Sequence, residues 1–99
     1  MKLIENIKKM LKEQESFLKD RYGVSKIGIF GSYVKGKAKK SSDLDILVDF
    51  QKDADIGLLE FIALENYLSD LLGVKVDLVM KDSLKPRIGK HILKEVAYL

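Results

Sequence analysis

Ile29-Phe30-Gly31-Ser32, ten intervening residues, then Asp43-Leu44-Asp45-Ile46-Leu47-Val48 is the most informative stretch of this 99-residue chain. An apolar β-branched run, Lys26–Phe30, stops at a glycine–serine pair and reads as a strand. A second run, Asp45–Phe50, begins on aspartates and reads as another. Its Ile46, Val48 and Phe50 point one way and Asp45, Leu47 and Asp49 the other. Residues 33–42 form a polar connection with a short helical turn expected near Tyr33–Gly36. About a dozen residues cannot hold a full crossover helix with its turns, so the two strands are expected to be antiparallel. That pairing brings the end of the first beside the start of the second.

Working outward, Leu3, Ile4, Ile7, Met10, Leu11, Phe17 and Leu18 follow the spacing of an amphipathic helix, expected over residues 2–22 and stopping at Gly23. After a turn at 51–55, Asp55 is the expected cap of a helix carrying Leu58, Leu59, Ile62, Leu68, Leu71 and Leu72 and ending at Gly73. Val74–Met80 reads as a third strand, and the helix before it permits a parallel crossover. Asp82-Ser83 is read as capping a last helix, with Pro86 in its first turn and Leu84, Ile88, Ile92, Leu93 and Val96 as its apolar face. The fold class is α/β (α+β), in the order α-β-β-α-β-α, with a small mixed three-stranded sheet flanked by helices. Residues 1–99 are expected to form one domain.

The absence of cysteine excludes a disulfide scaffold, a thiolate zinc site and thiol chemistry. No apolar run approaches the ~20 residues of a membrane span, so a cytoplasmic protein with no membrane contact is expected. The net charge of +3 hides an asymmetry. Lys35, Lys37, Lys39 and Lys40 are followed at once by Asp43, Asp45, Asp49, Asp53 and Asp55.

Asp43 and Asp45 are two apart at a strand start, with side chains on one face and Cα atoms roughly 6.5 Å apart. Carboxylates that close repel unless a cation lies between them. Mg²⁺ takes such oxygen ligands and shares them with substrate phosphates. Asp77 interrupts the apolar third strand, where an unpaired charge is costly. If that strand lies beside the second, Asp77 faces Asp43 and Asp45. At Gly31-Ser32 the backbone can approach a ligand closely, and exposed N–H groups with the serine hydroxyl suit a phosphate.

This Gly-Ser, ten-residue spacing and strand-borne Asp-x-Asp, with a later strand Asp, resembles the polymerase-β nucleotidyltransferase superfamily and its minimal (MNT) members, over nearly the whole chain. The resemblance implies a polymerase-β-like fold and nucleotidyl transfer, most often of AMP from ATP. By it, Gly31 and Ser32 hold the outgoing phosphates. Asp43 and Asp45 bind two Mg²⁺, and Asp77 completes one metal site and helps activate the attacking hydroxyl. Small members resemble antitoxins that attach AMP to a tyrosine of a HEPN-domain RNase toxin, so a HEPN partner in a hetero-oligomer is implied. Lys35 is a nucleotide-binding candidate, although many members carry Arg there and a lysine lacks the bidentate fork.

Lys37, Lys39 and Lys40 are read as a solvated loop. Asp49 is left outside the site, His91 is read as structural or exposed, and Arg87 as without a site role. Two rivals stand beside transfer to a toxin: an antitoxin acting by binding alone, and a small-molecule adenylyltransferase. A basic RNA-binding module is weakest, because Arg21 and Arg87 are the only arginines and no aromatic residues interleave with the basic ones. Direct nucleic-acid binding is therefore not expected.

Overall fold

A computed structural model describes residues 4–39 and 41–99. Leu3 of the first helix face and Lys40 of the basic block lie outside them. The elements run α1 (Ile4–Glu13), α2 (Glu15–Tyr22), β1 (Val24–Phe30), a 3₁₀ turn (Gly31–Tyr33), β2 (Leu44–Phe50), α3 (Leu58–Leu72), β3 (Val76–Met80), a second 3₁₀ turn (Lys81–Ser83), α4 (Pro86–Glu95) and β4 (Ala97–Tyr98). The sheet order is β3-β2-β1-β4. β1 is antiparallel to β2 and to β4, and β2 is parallel to β3. The mixed sheet, its antiparallel first pair and its parallel crossover are as the sequence predicts.

Four elements differ from expectation. The sheet has four strands rather than three. β4 is only two residues long, too short for any period, and exists because the open edge of β1 pairs with it. The N-terminal helix is two helices broken at Gln14, where φ is −100° and ψ 7°. The Gln14 N–H donates to Leu11 O at 3.1 Å, a tightened three-residue step. The Gln14 side chain accepts a 3.0 Å bond from the Tyr67 hydroxyl of α3. Asp55 does not cap α3, whose N-cap is Gly57 with no side-chain bond. Asp82 and Ser83 do not cap α4 either. They occupy the 3₁₀ turn, Ser83 Oγ donates back to Met80 O at 2.7 Å, and Lys85 is the N-cap ahead of Pro86.

The core lies between α1–α3 and one face of the sheet. Ile7, Leu11, Leu18, Leu64, Leu68 and Leu72 from the helices meet Ile27, Ile29, Ile46 and Val48 from the strands, all buried. The register explains the strand contribution, since Ile27 faces Val48 and Ile29 faces Ile46. Their neighbours Gly28, Leu47, Phe30 and Asp45 therefore point to the second face. The chain between β3 and β4 must cross from one edge of the sheet to the other, and α4 makes that crossing over the second face. There, a Cβ on Gly28 would lie 2.6 Å from Val96 Cγ2, so only glycine admits this approach.

β3 is an outer strand, and two of its outward N–H groups are taken by side chains. Leu78 N–H donates to Glu65 Oε2 at 2.9 Å and Val76 N–H to Ser69 Oγ at 3.0 Å, both from α3. Such capping blocks the pairing of one sheet edge with another chain. Glu65→Ala/Ser69→Ala is expected to lose about 1 kcal/mol per bond and to self-associate more readily. Thermal melts and light scattering against concentration check this; an unchanged scattering profile would refute the edge-capping role.

Candidate functional site

The pairing of β1 with β2 builds the site. Phe30 is the register partner of Asp45, so the residue that follows Phe30 lies against the start of β2. That residue is Gly31, at φ +79°, a left-handed conformation that costs any other L-residue about 1–2 kcal/mol. Space demands glycine as strongly. A Cβ there would overlap Asp45 Oδ2 and crowd Asp45 Cγ at 3.1 Å. The 3₁₀ turn opens at Gly31 itself, so the Gly-Ser pair begins a helical turn as the sequence predicts, and the turn continues into the Tyr33–Gly36 stretch. The turn is closed by Val34 and Lys35 N–H groups, both donating to Gly31 O at 3.1 Å. Ser32, half-buried, stands at the front of this turn, where the leading N–H groups of a helical turn have no partner within it.

The carboxylates come together across the parallel pair. Asp45 and Asp77 are register partners, on strands about 4.8 Å apart. Asp43 lies one residue before β2. Asp45 is half-buried, whereas Asp43 and Asp77 are exposed. Burial, then the Asp77 charge, then the Asp43 charge push the Asp45 carboxyl above its ordinary value. All three effects disfavour its ionised form, and a cation beside the three would reverse the two Coulombic ones. The expectation for Asp77 needs one correction. Its strand is an outer one and the side chain is exposed, so it is no buried interruption of a central strand.

The donor set suits a hard divalent cation: oxygen ligands only, with Asp45 disfavoured as an ion in the absence of positive charge. Among the described residues no three acidic or histidine side chains close around one point. Such a cation would therefore draw part of its shell from water or ligand phosphate. Concavities lie elsewhere, one of about 250 Å³ beside β1 and the chain end and one of about 600 Å³ along α1. The carboxylates stand on an open rim.

Lys35 is four residues past Gly31, and its Nζ lies 3.2 Å from Glu95 Oε1 at the end of α4. The pair is half exposed and worth at most about 1 kcal/mol, weak enough for Lys35 to exchange Glu95 for a phosphate. Nothing in the sequence marks Glu95 as this partner, because sixty residues separate them. Lys37 and Lys39 are exposed, as are Arg87 and His91. Asp49 pairs in register with Lys26, toward the far end of β2. It lies about 13 Å along the strand from Asp45 and stays outside the trio.

The family model described as nucleotidyltransferase domain matches residues 11–99. The protein adenylyltransferase MntA of Thermococcus cleftensis is 52% identical over 99 residues, covering 100% of this chain and 98% of that one. A solved structure assigned as a minimal nucleotidyltransferase superposes with a TM-score of 0.74 at 35% identity, over 94% of this chain and 95% of the other. A chain from an MntA–HepT toxin–antitoxin crystal structure superposes with a TM-score of 0.68 at 26% identity, over 99% and 72%. With the sheet order, the Gly-Ser turn against Asp45 and these matches in hand, the chain belongs to the nucleotidyltransferase domain family, and its chemistry is nucleotidyl transfer.

Proposed function

We propose that this protein is a Mg²⁺-dependent adenylyltransferase that moves AMP from ATP to a hydroxyl of a HEPN-family toxin, with tyrosine as the modified residue, and so acts as its antitoxin. One observation carries the reading: the Gly31 turn is packed directly on Asp45, whose carboxyl is held up by burial and by Asp77 and Asp43. A phosphate site and a cation site therefore share one rim. The relative from Thermococcus cleftensis supports protein adenylylation, and the MntA–HepT likeness supports a toxin as partner. The protein works as one domain, residues 1–99, in the cytoplasm, where ATP and Mg²⁺ are available.

In this reading Gly31 and Ser32 hold the β- and γ-phosphates, the serine through its hydroxyl, and Lys35 supplies a further positive charge. Asp43, Asp45 and Asp77 would hold the Mg²⁺ ions, two being the number such a site takes. Bound there, the metal offsets charge on the attacking and leaving oxygens of an in-line displacement. Asp77, exposed beside Asp45, is placed to draw the proton from the acceptor hydroxyl. The acceptor oxygen bonds to the α-phosphorus, the bond to the bridging oxygen of the β-phosphate breaks, and pyrophosphate departs.

The test is incubation of the protein with α-labelled ATP, Mg²⁺ and the product of the adjacent gene. Wild type is expected to label the partner, and Asp43→Ala/Asp45→Ala is expected not to. No label from wild type, with the toxin still neutralised by the double variant, would replace transfer by binding alone.

A further inference from the structure

α4 carries Arg87, Lys90, His91 and Lys94, all exposed. At about 100° per residue, the four cover about 100° of the helix surface and about 10 Å of its length. They point away from the sheet, opposite the side on which Gly89 is buried and Ile92 half-buried. Together with Pro86 they line a shallow concavity of about 420 Å³. Among the described residues, the salt bridge of α4 is Glu95 to Lys35, and it leaves these four side chains without a carboxylate partner. Ile88 and Leu93 flank the stripe on either side and are 56% and 44% exposed. The stripe also has a direction. α4 crosses the sheet toward the catalytic rim, and its last residue, Glu95, is tied to Lys35 of the phosphate turn.

We infer that the outer face of α4 docks the protein that receives AMP, which meets Arg87, Lys90, His91 and Lys94 with acidic side chains and Ile88 and Leu93 with apolar ones. The inference rests on transfer to a protein, the function proposed above. The apolar flanks favour a protein over a nucleic acid. Phosphodiesters gain nothing from Ile88 and Leu93, and the stripe holds a single arginine and no Phe, Tyr or Trp, with the His91 imidazole as its one ring for base stacking. A protein surface buries both flanks and answers the charges between them. The direction of the stripe then matters for the reaction. A partner seated along α4 reaches the open rim where Asp43 and Asp77 are exposed, and its hydroxyl can be presented there.

The experiment compares wild type with Lys90→Glu/Lys94→Glu and, separately, Ile88→Asp, using the product of the adjacent gene as acceptor. Steady-state AMP transfer, equilibrium binding of the acceptor, ATP affinity and the melting temperature are read together. Each variant is expected to raise the acceptor KM and Kd about tenfold or more, the charge reversal most at low salt. ATP affinity and melting temperature should stay at wild-type values, and kcat within about twofold. Unchanged acceptor KM and Kd in both variants would overturn the inference. So would a wild type whose stripe binds a single-stranded RNA oligonucleotide, with that binding lost in the charge reversal and the acceptor Kd unmoved. A wild type that binds the acceptor through the stripe but transfers no AMP would sink the transfer reading and leave the docking face intact.

Discussion

Asp45→Asn is expected to transfer no measurable nucleotide and yet to melt at a higher temperature than wild type when both are free of metal. Loss of groups that merely orient metal ligands costs about 10–100-fold, so loss of Asp45, a ligand in the function proposed above, should cost more than about 100-fold in rate. The stability gain comes from the same carboxyl. Burial first, then Asp77 and Asp43, raise its folded-state pKa above the ordinary aspartate value. The folded chain therefore binds that proton more tightly than the unfolded chain. Its contribution to stability is present below the unfolded pKa, near 4, and is lost as pH rises through the folded one. The metal-free variant should gain on wild type over that rise and hold its lead at neutral pH. Mg²⁺ with nucleotide should narrow the difference by stabilising wild type alone. Melts across pH, with and without Mg²⁺ and a non-hydrolysable ATP analogue, make the comparison. A variant no more stable than wild type at neutral pH would refute the unfavourable electrostatics assigned to Asp45.

Gly31→Ala is expected to be the most damaging single methyl group that can be added at the site. The left-handed φ alone costs about 1–2 kcal/mol, and the new Cβ would overlap Asp45 Oδ2. Relief requires Asp45 to rotate away or the turn to shift, and either separates the Gly31 turn from the carboxylates. For a domain of this size each kcal/mol moves the melting temperature by about 4–8 °C. The variant should therefore melt about 5–15 °C lower and lose at least about 100-fold in transfer rate. Gly31→Ala/Asp45→Asn should recover no more than the gain that Asp45→Asn gives by itself, because the overlap with the residue-45 side chain remains. A Gly31→Ala protein with wild-type turnover would show that the close approach of turn and carboxylate is dispensable.

The two predictions depend on a contact that is partly legible in the sequence. The ten residues between Ser32 and Asp43 allow only a short return, which dictates antiparallel pairing, and that pairing puts Gly31 near Asp45. The crossover helix α3 between β2 and β3 implies a parallel pair by similar reasoning, and the register places Asp77 opposite Asp45. Such inferences succeed because chain length limits where the next strand can go. Helix starts are less legible than helix ends. Gly23 and Gly73 do end α2 and α3, whereas Asp55, Asp82 and Ser83 cap no helix start. A capping side chain is chosen by the path of the chain into the helix, and several nearby polar residues offer the same local signal.

Local pattern by itself determined the core-facing residues of α1 and the sheet, the antiparallel and parallel pairings, and the glycine–serine turn followed by Asp-x-Asp. Each follows from side-chain periodicity or from the reach of a short connection, and neither needs distant contacts. Local pattern misplaced much of the apolar face of α3, where Leu58, Leu59 and Ile62 are exposed and Leu64, Leu68 and Leu72 are buried, and of α4, where Ile88 and Leu93 are exposed. Tertiary structure alone decided the rest. β4 is held by the free edge of β1. The break at Gln14 is matched by a bond from Tyr67 of α3. Asp77 is exposed on an outer strand, two of whose N–H groups are taken by Glu65 and Ser69, and Val96, just past α4, settles against β1 because Gly28 has no Cβ. These features arise from residues far apart in the chain, whose meeting depends on how the whole sheet is ordered.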